Sequence, residues 1–173
     1  GGRGISQILI ERGTPGFDRG RNLEKVGYHA QDTSELFFSD CRVPVENLLG
    51  EEGKGFVQMV QQLPQERLVI AIRSAAIIHS AIDWTARYVN DREAFGRTLA
   101  NFQNTRFKLA ELTTKAAVTQ SFVDACTVQH LNGALDAIDA AMAKLHSTEV
   151  MCEVLDDCVQ LHGGYGYMSE FPI

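Results

Sequence analysis

The sequence predicts an α+β chain, a partial β-barrel or sheet segment followed by an antiparallel up-down helical bundle. Three observations carry that prediction. Ile5-Ser6-Gln7-Ile8-Leu9-Ile10 and the stretch from Thr33 to Val43 around Leu36-Phe37-Phe38 are rich in β-branched and aromatic side chains. From Glu51 onward, apolar residues recur every three or four positions. Three such periodic segments, each about 40 Å long at 1.5 Å per residue, follow one another across short joints, which is bundle patterning.

The turn Gly13-Thr14-Pro15-Gly16 closes the first strand, and Pro44 closes the second. Two or three strands are too few for a stable sheet of their own. Residues 1–50 are therefore expected to be the back portion of a larger β domain. A short helix is expected from Gly53-Lys54-Gly55 to Gln62 or Leu63. Pro64 has no amide hydrogen, which suits the first position of a new helix reaching about Asp91. Its apolar stripe is expected to be Leu68, Ile72, Ala75, His79 and Ile82. A second helix, about 102–131, carries Leu109, Leu112, Ala116, Thr119, Val123 and Cys126. A third, about 134–162, carries Leu135, Ile138, Met142, Leu145, Cys152, Leu155 and Val159, and Asn132-Gly133 makes the joint before it. The tail from Tyr165 to Ile173 reads as stopping without a fourth helix, so the chain is expected to be a fragment.

Composition narrows the class. With 173 residues, 45% hydrophobic and 22% charged, the chain has the profile of a globular protein. No apolar run approaches the roughly 20 residues of a membrane span, and Gly1-Gly2-Arg3-Gly4-Ile5 lacks the pattern of a leader. The formal charge is −6, and residues 101–173 hold nine acidic and four basic side chains. An acidic chain without a basic stripe argues against nucleic-acid binding. The acidic excess reads as a solvated helix surface or a docking face. Cys41, Cys126, Cys152 and Cys158 form no Cys-x-x-Cys pair. Cys126/His130 and Cys158/His162 are each four apart, a spacing that serves core packing or metal ligation.

Three blocks carry chemistry. In Leu63-Pro64-Gln65-Glu66-Arg67-Leu68, a lone carboxylate sits among Leu63, Leu68, Val69 and Ile70. Withdrawing water from such a group favours proton uptake, which a general base needs. An acid in an opening helical turn is equally a complement to the helix dipole. Arg92 and Arg97, in Asp91-Arg92-Glu93-Ala94-Phe95-Gly96-Arg97, are ligand contacts or plain partners of a helix C-terminus. In Gln160-Leu161-His162-Gly163-Gly164, the glycines end a helix rather than begin one. That excludes a Rossmann phosphate loop and leaves a C-cap or a ligand wall.

Taken together, these blocks resemble acyl-CoA dehydrogenases. Val26-Gly27, Ala30-Gln31-Asp32-Thr33-Ser34-Glu35-Leu36-Phe37-Phe38 and Leu49-Gly50-Glu51-Glu52-Gly53-Lys54-Gly55-Phe56 add to the likeness, as do Phe102-Gln103 and Tyr165-Gly166. Pro64-Gln65-Glu66-Arg67 makes it strongest toward the long-chain branch. The resemblance implies that residues 1–50 are the end of the middle β domain. Residues 51–173 would be the C-terminal helical bundle short of its last helix, with little or no activity alone. It implies FAD-dependent α,β-dehydrogenation of an acyl-CoA thioester, as in fatty-acid β-oxidation, with Glu66 as the α-proton base. Cofactor contacts would be Arg92, Phe95, Gln103, Gln160, Leu161, His162, Gly163 and Gly164, and substrate contacts Val57, Pro64, Gln65 and Arg67. No metal is implied. Electron-transferring flavoprotein would be the redox partner, and bacterial cytoplasm or the mitochondrial matrix the compartment. Two alternatives are a non-catalytic helical oligomerisation module and a related flavin-dependent acyl-CoA oxidase.

Helix geometry adds one expectation. Residues 66 and 92 are 26 apart on one helix, hence ~39 Å. Both cannot serve one cofactor in one subunit, which points to Arg92 reaching a neighbour's flavin. The expected assembly is a homo-oligomer, and the resemblance implies a dimer of dimers.

Overall fold

The computed structural model describes residues 4–173; Gly1–Arg3, part of the start read above for a leader, lie outside the described residues. The chain divides into two compact units, residues 1–61 and 62–173.

In the first unit, β1 (Gln7–Ile8) pairs antiparallel with β4 (Leu48–Leu49), in the register Gln7↔Leu49. β2 (Phe17–Asn22) pairs antiparallel with β3 (Ser34–Phe38), with an irregularity between Arg19 and Asn22. The expected strands are thus present but shorter than their apolar runs, because the ladder persists only where a partner strand runs alongside. β2 was not expected, since Phe-Asp-Arg-Gly-Arg-Asn has low strand propensity. Phe17 stacks on Phe38 at 5.0 Å, and a Cβ on Gly20 would meet the Phe37 ring at 2.9 Å. Pairing and close approach therefore make this strand. Gly16 turns the chain into it at φ +83°, where a Cβ would lie 2.2 Å from the Ser39 carbonyl oxygen. Leu36, Phe37 and Phe38 remain exposed. No closed barrel forms among the described residues.

The helical part corrects the expected break at Pro64. A single helix, α1, runs from Gly55 to Asp91 over 37 residues with Pro64 inside it. Proline removes the bond from its own nitrogen to the Val60 carbonyl and crowds that carbonyl with its ring. Val60 is exposed, so water can take up that oxygen. Glu66 consequently lies eleven residues into the helix, beyond the reach of the N-terminal dipole. By length and composition α1 also meets the requirement for a membrane span, which the apolar-run count did not foresee.

Its inner face in the second unit is Leu68, Ala71, Ser74, Ala75, Ile78, Ala81, Thr85 and Val89. Ile72 and His79, expected inside, are exposed. α2 (Gln103–Leu131) and α3 (Ala137–His162) complete the bundle. Leu68 and Ala71 pack with Val123, Cys126 and Ala143, whereas Ile78 and Ala81 pack with Leu112, Ala116, Val154 and Cys158. As α1 advances, its partners on α2 move from Val123 and Cys126 back to Leu112 and Ala116, and those on α3 move forward from Ala143 to Val154 and Cys158. The order is therefore up-down-up.

Gly133, at φ +67°, ends α2. The Ala134 amide bonds the Gln129 carbonyl at 2.8 Å, and the Gly133 amide bonds His130 at 3.0 Å, a Schellman closure. Asp136 then caps α3, its Oδ1 accepting from the Ile138 and Asp139 amides at 2.8 and 2.7 Å. Lys115 with Glu153 at 2.9 Å and Lys108 with Asp157 at 3.3 Å join α2 to α3 on the acidic surface. Asp136→Ala is expected to lower unfolding free energy by about 1 kcal/mol, measured by urea denaturation.

Candidate functional site

The up-down-up order brings the C-terminal ends of α1 and α3 to the same end of the bundle. There a cavity of about 460 Å³ is walled by Arg92, Gln160, Leu161, His162, Gly163 and Gly164. Six residues singled out in two distant sequence blocks thus meet in one place. Four more, Tyr88, Leu99, Tyr165 and Met168, complete the wall. Sequence reasoning passed over Tyr88, although it stands one turn before Arg92 on the same helical face.

Arg92 lies just past the end of α1, its amide still bonded to the Tyr88 carbonyl at 2.8 Å. Its guanidinium rests over the Tyr165 ring, 5.1 Å from the centroid, a cation–π arrangement. The Tyr88 ring stacks on His162 at 4.2 Å, and the Tyr88 hydroxyl donates to the His162 carbonyl at 3.1 Å. His162 is only 3% exposed. Its Nδ1 lies 2.8 Å from the Cys158 carbonyl; a carbonyl only accepts, so this nitrogen carries the proton. Gly163 leaves α3 at φ +60° and ψ −136°, a conformation that suits glycine. A Cβ on Gly164 would meet nothing within 4 Å, whereas one on Gly166 would lie 2.6 Å from the Val159 carbonyl. Gly166 is thus fixed by packing, and Gly164 borders open space.

Phe95 and Gln103 fall outside the cavity walls. Phe95 and Gly96, at φ +55° and +78°, form the two-residue turn of a hairpin between β5 (Glu93–Ala94) and β6 (Arg97–Thr98). Both positive φ values mark the primed turn that suits strand twist. Sequence reading placed a helix end here, with Arg92 and Arg97 as ligand contacts or partners of that end, and did not anticipate a hairpin. The Phe95 ring is 95% exposed, edge-on to Phe102 at 6.5 Å, and Arg97 covers Phe102 at 4.0 Å. Gln103 opens α2 and is exposed.

Glu66 lies elsewhere on α1. It is exposed rather than shielded, as are Gln65 and its neighbour Val69, the latter at 58%. Leu63, Pro64, Arg67 and Ile70 are half-buried. The shielding expected from the apolar residues around Glu66 is therefore not provided by the chain itself, because its face of α1 points away from α2 and α3. Val57, in the first unit, is exposed too.

The cysteine–histidine pairs serve the core. Burial pushes the Cys158 thiol up from its ordinary value, with the Thr85 hydroxyl opposing. Burial also raises Cys126, and Asp139 and Asp136 add to it. Among the described residues, no group of three His, Cys, Asp or Glu side chains gathers to hold a metal.

Three long helices with a cationic, glycine-walled cavity where two of them end define a helical-bundle domain with a ligand-sized cavity at one end. The chain belongs to the acyl-CoA dehydrogenase family. Residues 53–173 match the family model for the acyl-CoA dehydrogenase C-terminal domain. The long-chain specific acyl-CoA dehydrogenase of Sus scrofa mitochondria is 50% identical over 170 residues, which are 98% of this chain and 40% of that protein. The crystal structure of an acyl-CoA dehydrogenase from Geobacillus kaustophilus matches with a TM-score of 0.94 at 49% identity, over 99% of this chain and 45% of that one. A chain in a structure described as the electron transferring flavoprotein of Acidaminococcus fermentans matches with a TM-score of 0.93 at 38% identity, over 99% and 45%. The chain thus spans less than half the length of these relatives.

Gly166→Ala should cost about 1–3 kcal/mol through overpacking, whereas Gly164→Ala should stay within about 0.5 kcal/mol. Thermal or urea unfolding of the two variants checks the contrast.

Proposed function

We propose that the protein carrying this chain is an FAD-dependent acyl-CoA dehydrogenase, with Glu66 as the base that removes the α-proton. The observation that carries this reading is the convergence of Arg92 with Gln160–Gly164 on one cavity in a chain of this family. The residues present fit the adenine-diphosphate end of the cofactor. Arg92 offers a full positive charge to a diphosphate. Leu99, Leu161 and Met168 give apolar walls for a ring, and Gly164 leaves room beside the backbone. Phe95 and Gln103 extend the same surface beyond the cavity in this reading. Bound flavin supplies the acceptor for the hydride that leaves the β-carbon.

The chain's own part is the proton. Glu66 has no ion-pair or hydrogen-bond partner among the described residues, so its carboxylate is free to accept one. A docked acyl chain lying over Val69, Leu63 and Ile70 would displace water around it and strengthen it as a base. Pro64, Gln65 and Arg67, its sequence neighbours, border the acyl-CoA in this reading, and Val57 is assigned to the acyl chain by resemblance. Loss of the α-proton to Glu66 and of the β-hydride to the flavin leaves a trans-2,3 double bond.

Redox exchange with an electron-transferring flavoprotein is supported by the Acidaminococcus fermentans match. The compartment follows the relatives: the mitochondrial matrix, as for the Sus scrofa enzyme, or bacterial cytoplasm. Ile138, Met142 and Leu145 stand exposed along one face of α3. That face and the ~39 Å between Glu66 and Arg92 support a homo-oligomer in which copies share cofactors. A helical assembly module without catalysis would use the same apolar face, and flavin colour separates the two: the enzyme is yellow, the module colourless.

In the flavin-loaded protein, Glu66→Gln is expected to reduce acyl-CoA turnover by about 10²- to 10⁴-fold while flavin absorbance is retained. A variant keeping more than about a tenth of the parent rate rejects Glu66 as the base.

A further inference from the structure

Tyr88 joins the two halves of the cavity wall. His162 is the last residue of α3, so its carbonyl is one of the acceptors a helix leaves without an internal partner. The Gly163 amide turns back to the Gln160 carbonyl. That carbonyl opens the 3₁₀ turn Gly163–Tyr167, and the Tyr88 hydroxyl adds a side-chain donor to it at 3.1 Å, at the peptide that leads directly into Gly163 and Gly164. On its own helix, Tyr88 stands one turn before Arg92 and accepts the Arg92 amide at 2.8 Å. One side chain therefore ties the glycine segment to the element that carries the cation.

The tie is held rigid from both sides. The His162 imidazole is fixed by its bond to Cys158 and stacked on Tyr88, with 19° between planes. Phe171 closes edge-on against Tyr88 at 5.7 Å. These ring contacts would survive in phenylalanine; the bond to the His162 carbonyl would not.

We infer that Tyr88 is a positioning residue for cofactor binding, its hydroxyl holding the Gly163–Gly164 backbone at a set distance from Arg92 so that one ligand meets both. The inference rests on the reading of this cavity as an FAD site. A hydroxyl that merely capped a helix end would stabilise the free and loaded protein equally. A positioning hydroxyl acts additionally on affinity.

The test titrates FAD into the apoprotein by flavin fluorescence and records melting of the apo and loaded forms for Tyr88→Phe, Tyr88→Met and Arg92→Gln. Tyr88→Phe is expected to raise the FAD dissociation constant about three- to tenfold, the factor carried by one neutral hydrogen bond, and to narrow the melting gap between loaded and apo protein. Tyr88→Met also gives up the ring stack. It should melt lower still yet bind FAD about as the phenylalanine variant does. An unchanged dissociation constant in Tyr88→Phe, or one that tracks melting temperature across both Tyr88 variants, overturns the positioning role and leaves the FAD reading intact. An unchanged constant in Arg92→Gln removes the FAD reading, and this inference with it.

Discussion

Small side chains in the bundle interior set the rest of the helical unit. Ala71, Ser74, Ala75, Ala81 and Thr85 of α1, Ala116 and Thr119 of α2, and Ala140, Ala143 and Ser147 of α3 are all buried. Such residues let helix backbones approach closely, and at interior packing density an added methylene has no space to enter. The helices are thereby fixed in rotation and in axial register. Register is what matters for the site. In an up-down-up bundle, α1 and α3 finish at the same end, so Tyr88 meets the carbonyl of His162, 74 residues away in sequence. A slip of one turn, 5.4 Å, would separate Arg92 from the glycines and dissolve the cavity wall.

The same seam explains what sequence reading caught and missed. The extents of α2 and α3 and the Asn132-Gly133 joint were legible because their signals are local. The face of α3 was misread: Ile138, Met142, Leu145, Cys152 and Val159, expected inside, are exposed, and Ala140, Ala143, Ser147, Val154 and Cys158 are buried. The stripe on α1 was misread because hydrophobicity favours Ile72, whereas close packing selects Ala71 and Ser74 beside it. Only the partner helices reveal that preference. Pro64 was read as a start because its nitrogen has no hydrogen to donate, yet Val60, one turn earlier, lies on the exposed face of α1, which makes the loss tolerable in mid-helix. β2 and the Phe95-Gly96 hairpin are set by pairing across space, which no residue window contains. The cavity residues were legible as separate motifs, and their meeting required the bundle. Tyr88 escaped notice because nothing in its local sequence marks the carbonyl it serves.

Electrostatics at the cavity are contested. The ends of α1 and α3 each present unpaired carbonyls, equivalent to roughly half a negative charge apiece. An anionic ligand would meet repulsion there were it not for the donors gathered at the same place. The Tyr88 hydroxyl donates to one of those carbonyls, and the Gly163 amide turns back to another, that of Gln160. Arg92 then brings a whole positive charge to this end, held by Tyr165 rather than by a carboxylate. A carboxylate partner would have neutralised it. An aromatic face orients the guanidinium while leaving its charge available, which is the condition an incoming diphosphate needs.

The two halves of the proposed chemistry sit far apart on one rigid element. α1 is continuous between Glu66 and Arg92, so about seven helical turns separate the base from the cation. A helix of this length, packed along its inner face, does not shorten to bring them together. The reactive ring of a cofactor must lie near the base, while Arg92 acts on the far end of a cofactor. If both residues serve flavin, they serve different molecules of it. Under that reading, each cavity would be completed by another copy of the protein. Exposure of Phe95 at a hairpin tip beside that cavity, in a backbone conformation costly for an aromatic residue, is consistent with a surface made to be covered in the assembly.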